Sequence, residues 1–197
     1  MVRVLEEYAE KNNIPIMQKD GIEFLLKYIE DNNIQTILEI GSAIGYSAIR
    51  MALINKNIKI TTIERDKERY DLAVKNITDF NLNNQIEIIL SDAFDVELTE
   101  KYDLIFIDAA KSQYIKFFEK FKNNLSNGGV IVSDNLDFHG LTKVDENTLS
   151  RNVRGLVRKL NKYVEFLENN QEFNTTFYNL GDGVSVSERK EDVNEKK

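Results

Sequence analysis

Two unbroken apolar runs in this chain each end on hard oxygen ligands. Leu104-Ile105-Phe106-Ile107 runs into Asp108, and Val130-Ile131-Val132-Ser133 runs into Asp134-Asn135. A strand that is apolar at every residue must be buried on both faces, as a central strand of a helix-covered parallel sheet is. If the two strands are neighbours, their ends lie about 5 Å apart. That is close enough for two carboxylates and an amide to share one cation. Lys111 follows three residues after Asp108, at the start of the next expected helix. A cation site beside an amine suggests activation of a hydroxyl group.

The rest of the chain alternates in the same sense. Helices are expected over residues 2–12 and 18–31, parted by Asn12-Asn13-Ile14-Pro15, which holds the only proline. Strands then read at Gln35–Ile40, Ile58–Ile63, Gln85–Leu90, Tyr102–Ile107 and Gly129–Ser133, with helices over Ile44–Ile54, Lys67–Phe80 and Gln113–Leu125. This repeated βα pattern predicts a parallel sheet covered on both faces. After Asn135 the pattern changes to a loop with Phe138-His139-Gly140 and a helix from about Leu149 to Asn169. Strands Phe173–Asn179 and Val184–Glu188 then flank Leu180-Gly181-Asp182-Gly183, a hairpin signal. No repeat or linker divides the chain, so residues 1–190 are expected to form one domain, with 1–33 as its N-terminal helices. The polar stretch Arg189–Lys197 is expected to fray, with 191–197 a disordered tail.

Composition narrows the chemistry. A chain of 197 residues buries roughly 70% of its unfolded surface and needs no staples. It has no cysteine, hence no disulfide framework, thiolate zinc site or cysteine nucleophile. Its one histidine, His139, rules out His-rich metal sites and argues against a Ser-His-Asp triad. The opening Met1-Val2-Arg3-Val4-Leu5-Glu6-Glu7 is acidic where a signal peptide is apolar. No apolar run approaches the roughly 18 residues needed to span a bilayer, so a cytoplasmic protein with no membrane partner is expected. The net charge of −7 argues against a dedicated nucleic-acid coat but allows a local basic face.

The segment Ile37 to Ser47 joins the first strand to its helix through Gly41-x-x-x-Gly45. Glycines there let a ligand approach the backbone, and the helix N-terminus offers free amides to an anion. The spacing lacks the middle glycine of G-x-G-x-x-G that admits a pyrophosphate; it suits a carboxylate such as that of an amino acid. Glu64 ends the second strand 23 residues after Gly41, where an acid accepts ribose hydroxyls. Asp92-Ala93, after the third strand, sits where an adenine amino group could be read. Each has a plainer explanation: a tight turn for Gly41 and Gly45, a cap or solvated charge run for Glu64, a cap for Asp92. Their recurrence at successive strand ends favours a nucleotide-like ligand, and carboxylate, ribose and adenine together describe S-adenosylmethionine better than NAD.

Glu39 to Ser47, Ile107-Asp108-Ala109-Ala110-Lys111-Ser112-Gln113-Tyr114, Ser133-Asp134-Asn135 and Gly181-Asp182-Gly183-Val184 resemble the cation-dependent, catechol-type O-methyltransferase family. The resemblance runs from Ile14-Pro15-Ile16-Met17 to Ser187, nearly the whole chain. It implies an α/β, Rossmann-like class I methyltransferase fold: a seven-stranded, mostly parallel sheet of order 3-2-1-4-5-7-6 with strand 7 antiparallel and helices on both faces. It implies Asp108, Asp134 and Asn135 as metal ligands and Lys111 as the catalytic residue. Gly41, Ser42, Tyr46, Ser47, Glu64, Arg65, Asp92, Ala93 and Asp108 fall on its S-adenosylmethionine contacts, and a homodimer through the N-terminal helices is implied. Within the family the chain is most similar to bacterial tRNA 5-hydroxyuridine methyltransferases, through the basic run Arg151 to Leu160. That implies methylation of the wobble 5-hydroxyuridine to 5-methoxyuridine, with the tRNA anticodon stem-loop as partner. The alternative acceptor is a small catechol or caffeoyl-type phenol.

The expected chemistry follows from the donor set. Three oxygen ligands without histidine or sulfur point to Mg²⁺, which stabilises an acceptor oxyanion. Lys111 beside it is the expected general base, and the oxyanion attacks the sulfonium methyl in line. Taken singly, Asp108 and Asp134 could be helix caps and Lys111 a solvated lysine; their pairing on adjacent strands favours catalysis. In the long helix, Val153, Leu156, Val157, Leu160, Val164 and Leu167 recur on a core-facing side. Arg151, Arg154, Arg158 and Lys162 recur on another, either as a solvated face or as phosphate contacts to RNA. His139 is expected in the loop or substrate pocket. An NAD-dependent oxidoreductase and a non-catalytic RNA-binding protein are the remaining readings.

Overall fold

A computed structural model describes residues 2–136 and 148–190. Helices α1 (Val2–Lys11) and α2 (Lys19–Asp31) precede β1 (Thr36–Ile40), α3 (Tyr46–Ala52), β2 (Lys59–Glu64), α4 (Lys67–Asp79) and β3 (Ile86–Leu90). β4 (Tyr102–Ile107), α5 (Tyr114–Phe121), β5 (Leu125–Ser133), α6 (Arg151–Glu168), β6 (Phe173–Tyr178) and β7 (Val184–Arg189) follow. The seven strands form one sheet in the order β3-β2-β1-β4-β5-β7-β6. β1 to β5 pair in parallel, whereas β7 runs antiparallel to both β5 and β6. Order, strand direction and fold class agree with the expectation from sequence. Among the described residues no helix is long and apolar enough to cross a membrane.

The apolar runs work as two-sided strands. Ile37, Leu104, Phe106, Val130 and Val132 pack on the side that holds Leu5, Ile22, Leu25, Ile29 and Ile49 of α1, α2 and α3. Their neighbours Leu38, Ile105, Ile107 and Ile131 pack on the other side, against Phe117, Phe118 and Phe121 of α5 and Tyr163 and Leu167 of α6. Successive side chains of a strand point to opposite faces, so consecutive apolar residues fill both cores. Each such side chain contributes roughly 1.5–3 kcal/mol on burial.

Three boundaries differ from the sequence reading. The helix expected over Gln113–Leu125 is α5 flanked by two 3₁₀ turns, Lys111–Gln113 and Lys122–Asn124. β5 starts at Leu125, four residues earlier than expected, because Leu125 pairs with Tyr102 ahead of a register shift between Tyr102 and Leu104. Gly128 (φ 76°) and Gly129 therefore lie inside an irregular strand; a Cβ at Gly129 would stand 2.9 Å from the Tyr102 carbonyl oxygen. Arg189, read as part of the polar tail, is the last residue of β7: it pairs with Phe173, its guanidinium lies 4.8 Å from that ring, and Nη2 donates to the Lys122 carbonyl. The expected tail over 191–197 lies outside the described residues.

The sheet brings the two acid-tipped strands together. In the β4–β5 pair Ile107 stands opposite Ser133, so Asp108 and Asp134 leave the sheet side by side. The Asp108 amide donates to the Ile40 carbonyl (3.0 Å) and the Asp134 amide to the Ile107 carbonyl (3.3 Å). Gly41 (φ 100°) turns the β1–α3 loop tightly past β4, and a Cβ there would lie 2.2 Å from the Asp108 carbonyl oxygen. The expected cost of Gly41→Ala is therefore roughly 3 kcal/mol. Gly128→Ala, also at positive φ but with nothing within 4 Å of the new carbon, should cost only about 1 kcal/mol. Urea unfolding of the two variants measures the difference, and equal losses would sink the close-contact explanation.

Candidate active site

A cleft of ≈ 380 Å³ opens along the carboxyl ends of β1, β2, β3 and β4. Its floor is the β1–α3 loop, shaped by positive φ at Gly41, Ala43 and Gly45. Glu64 ties this loop to the next: its Oε2 accepts the Ala43 amide (2.8 Å) and its Oε1 the Asp66 amide (2.9 Å). Each carboxylate oxygen keeps a further lone pair, so a structural tie and a ribose acceptor are compatible roles. Asp92 behaves likewise, with Oδ1 accepting the Phe94 amide (3.0 Å) and Oδ2 standing 3.8 Å from Arg65.

Gly41, Ser42, Tyr46, Ser47, Glu64, Arg65, Asp92, Ala93 and Asp108 all line the cleft. Not all can offer it their polar groups. The Ser47 hydroxyl donates to Glu39, and the Tyr46 hydroxyl donates to Glu6 (2.8 Å) while accepting from Arg50 (2.9 Å). Ser42 Oγ, by contrast, is buried with no hydrogen-bond partner among the described residues, as is Gln113 Oε1. Two orphaned polar atoms at one cleft fit a polar ligand. Gln113 lies in the Ile107–Tyr114 motif but had no role assigned from sequence, since its position depends on the 3₁₀ turn after β4. The aromatic wall was also missed: Phe94 and Phe117 stack at 4.8 Å and 14° beside Ala93. Ile16 and Met17 of the N-terminal segment close another side.

At the cleft's end Asp108, Asp134 and Asn135 converge. Asn135, held at φ 63°, donates through Nδ2 to Asp108 Oδ1 (3.2 Å) and to Asp134 Oδ2 (2.8 Å). Burial and the repulsion from Asp108 and Asp182 push the Asp134 carboxyl well above the usual range. Burial also raises Asp108, opposed by the nearby Lys111 and reinforced by Asp182. Two acids under that tension fit a hard cation. The amide nitrogen of Asn135 donates to both acids, and half a turn about χ2 would present the amide oxygen to them instead. Among the described residues no three His, Cys, Asp or Glu side chains group as a metal cluster, so the candidate set is two acids and an amide. Asp182 is a neighbour that the sequence reading quoted without a role. It is buried, and Gln18 Nε2 donates to its Oδ1 (2.7 Å), latching the β6–β7 turn to the start of α2.

Lys111 opens the 3₁₀ turn after β4 and lines both this cleft and a second, shallower groove. The far wall of that groove is the first turns of α6, where Ser150 caps the helix by accepting the Val153 amide (3.4 Å). The core-facing stripe of α6 is Val157, Leu160, Tyr163 and Leu167. The basic stripe is divided. Arg151 faces the groove, but Arg154 is tucked in, donating through Nη2 to the Leu149 carbonyl (3.2 Å) with its Nε buried and without a partner among the described residues. Arg158 is exposed but not among the groove's lining, whereas Lys159 is. His139 lies outside the described residues.

Comparison with known proteins agrees with this geometry. The family model described as O-methyltransferase matches residues 1–190. A crystal structure from Staphylococcus aureus, of a protein provisionally named a caffeoyl-CoA O-methyltransferase, is 38% identical, covers 96% of this chain and 92% of that one, and superposes with a TM-score of 0.91. An O-methyltransferase from Bacillus cereus, solved in complex with SAH, is 26% identical over 96% of this chain and 90% of its own, with a TM-score of 0.81. A catechol O-methyltransferase from Niastella koreensis is 36% identical over 131 residues, which are 63% of this chain and 59% of that protein.

Behind the cleft floor Glu39 is fully buried, with the Ser47 and Thr62 hydroxyls donating to its carboxylate. Burial pushes its pKa from 4.5 up to about 7 despite those two bonds. The native state therefore keeps a proton that the unfolded chain releases. That contribution is fully present below pH 4.5 and is lost as pH rises toward about 7. Relative to Glu39→Gln, wild-type stability should fall across that window by about 1.4 kcal/mol per pH unit. Urea titrations of both proteins at several pH values measure this, and parallel stability curves would refute it.

Proposed function

The chain belongs to the O-methyltransferase family, and on that premise we propose that it moves a methyl group from S-adenosylmethionine to one of two adjacent oxygens on a planar acceptor, with Mg²⁺ at the acid pair. The observation that carries this reading is the convergence of Asp108, Asp134 and Asn135 beside Lys111, at the end of a cleft whose polar orphans fit a nucleoside ligand. When bound, Mg²⁺ supplies electrostatic stabilisation of the acceptor oxygen and S-adenosylmethionine supplies the methyl group. Asp108, Asp134 and the amide oxygen of Asn135 would hold the cation. Glu64, Asp92 and Ser42 would hold the ribose, adenine and amino-acid portions. Lys111 Nζ, as the neutral amine, would take the proton of the acceptor hydroxyl. Ile16 and Met17 wall the cleft and exclude water.

The names of the relatives favour a catechol- or caffeoyl-type phenol as acceptor. A second reading, 5-hydroxyuridine of the tRNA wobble position, is supported by one feature of this chain: the groove beside Lys111 is open and carries Arg151 and Lys159, suited to a phosphate backbone. Incubation with labelled S-adenosylmethionine, Mg²⁺ and either a phenolic acceptor or tRNA bearing 5-hydroxyuridine separates the two. Label in the phenol supports the first reading, label in digested nucleosides the second, and label in neither refutes both.

Two further outcomes are expected. Lys111→Ala should keep its affinity for S-adenosylhomocysteine in calorimetry while turnover falls about 100- to 10,000-fold; unchanged turnover would remove Lys111 as the base. EDTA should abolish transfer and added Mg²⁺ restore it, and full activity in EDTA would rule out the metal.

A further inference from the structure

α6 carries a glycine in its interior that nothing in the fold requires. Glycine is the poorest helix former after proline, and it is kept inside helices for positive φ, a close-packed neighbour or an end cap. None applies to Gly155. It is absent from the positive-φ positions, a Cβ added to it would meet nothing within 4 Å among the described residues, and the helix continues to Glu168. It does line the groove beside Lys111, with Arg151 one turn before it and Lys159 one turn after on the same face. Neither cation has an ion-pair partner among the described residues. The bare patch of helix backbone therefore lies between two positive charges, on the side of the groove facing the Lys111 turn.

We propose that Gly155 is a specificity-determining residue, whose missing side chain lets the acceptor lie directly against α6 while Arg151 and Lys159 grip a phosphate ester that the acceptor carries. This rests on the methyl-transfer reading above, which puts the acceptor next to Lys111. A planar group gains dispersion only at close contact, and even a methyl at position 155 would hold it off the helix. The arginine fork and the lysine ammonium both suit phosphate oxygens. Both candidate acceptors can supply that chemistry: a dihydroxyphenol as its coenzyme A thioester, or a 5-hydroxyuridine in an RNA hairpin.

The test uses Gly155→Ala and Gly155→Leu in the full chain, assayed with both of those acceptors. Gly155→Ala should raise Tm by about 2–4 °C, as removal of a helix glycine does in a chain of this size. For whichever acceptor the wild type methylates, KM should rise roughly threefold in the alanine variant and about tenfold in the leucine variant. The kcat and the affinity for S-adenosylhomocysteine should stay as they are. An unchanged KM in both variants, with wild-type activity intact, overturns this inference alone. A lower Tm for Gly155→Ala also overturns it, because the glycine would then be structural. A wild type that methylates neither acceptor overturns the methyl-transfer reading and this inference with it.

Discussion

The site depends on one strand pairing. β4 and β5 lie in parallel with Ile107 opposite Ser133, and every arrangement at the cleft's end follows from it. A shift of one residue would turn one acid toward the opposite face of the sheet, because side chains alternate along a strand. The register is held by apolar residues filling cores on both faces and by the Asp108 and Asp134 amides, which extend the ladder one step past the strand ends. Gly41 contributes from the next strand over, since only a residue without Cβ can pass the Asp108 carbonyl so closely.

That packing sets up electrostatic tension. Asp108 and Asp134 repel each other and feel the charge of Asp182, and burial raises both. An unpaired buried charge is expensive, so the fold offsets it locally. Asn135 donates to both acids, Lys111 lies close to Asp108, and Gln18 holds Asp182. Such an arrangement is costly as structure and useful as a cation site. The buried Glu39 adds to it from behind the cleft floor.

Elsewhere in the cleft the acids at the strand ends hold local structure. Glu64 stitches two loops together, and Asp92 caps the turn that presents Phe94. The plain explanations for these acids in the sequence are therefore true as far as they go. The cleft also holds two buried polar atoms, Ser42 Oγ and Gln113 Oε1, without a hydrogen-bond partner among the described residues.

The sequence by itself determined the strands, their parallel direction and the acids at their ends, because periodicity and burial of apolar runs are local properties of the chain. It also marked the terminal hairpin and the family resemblance. It misjudged the α5–β5 boundary, because the Tyr102–Leu125 pairing starts the strand four residues before Gly129 and leaves Gly128 and Gly129 inside it. It grouped Arg154 with Arg151 and Arg158, although the docking of α6 turns Arg154 inward and puts Lys159 on the groove instead. Gln113, Phe117 and Asp182 reach the site only because separate elements meet there. Which side chains converge is decided by contacts between residues far apart in the chain, and single-strand patterns carry no record of those distances.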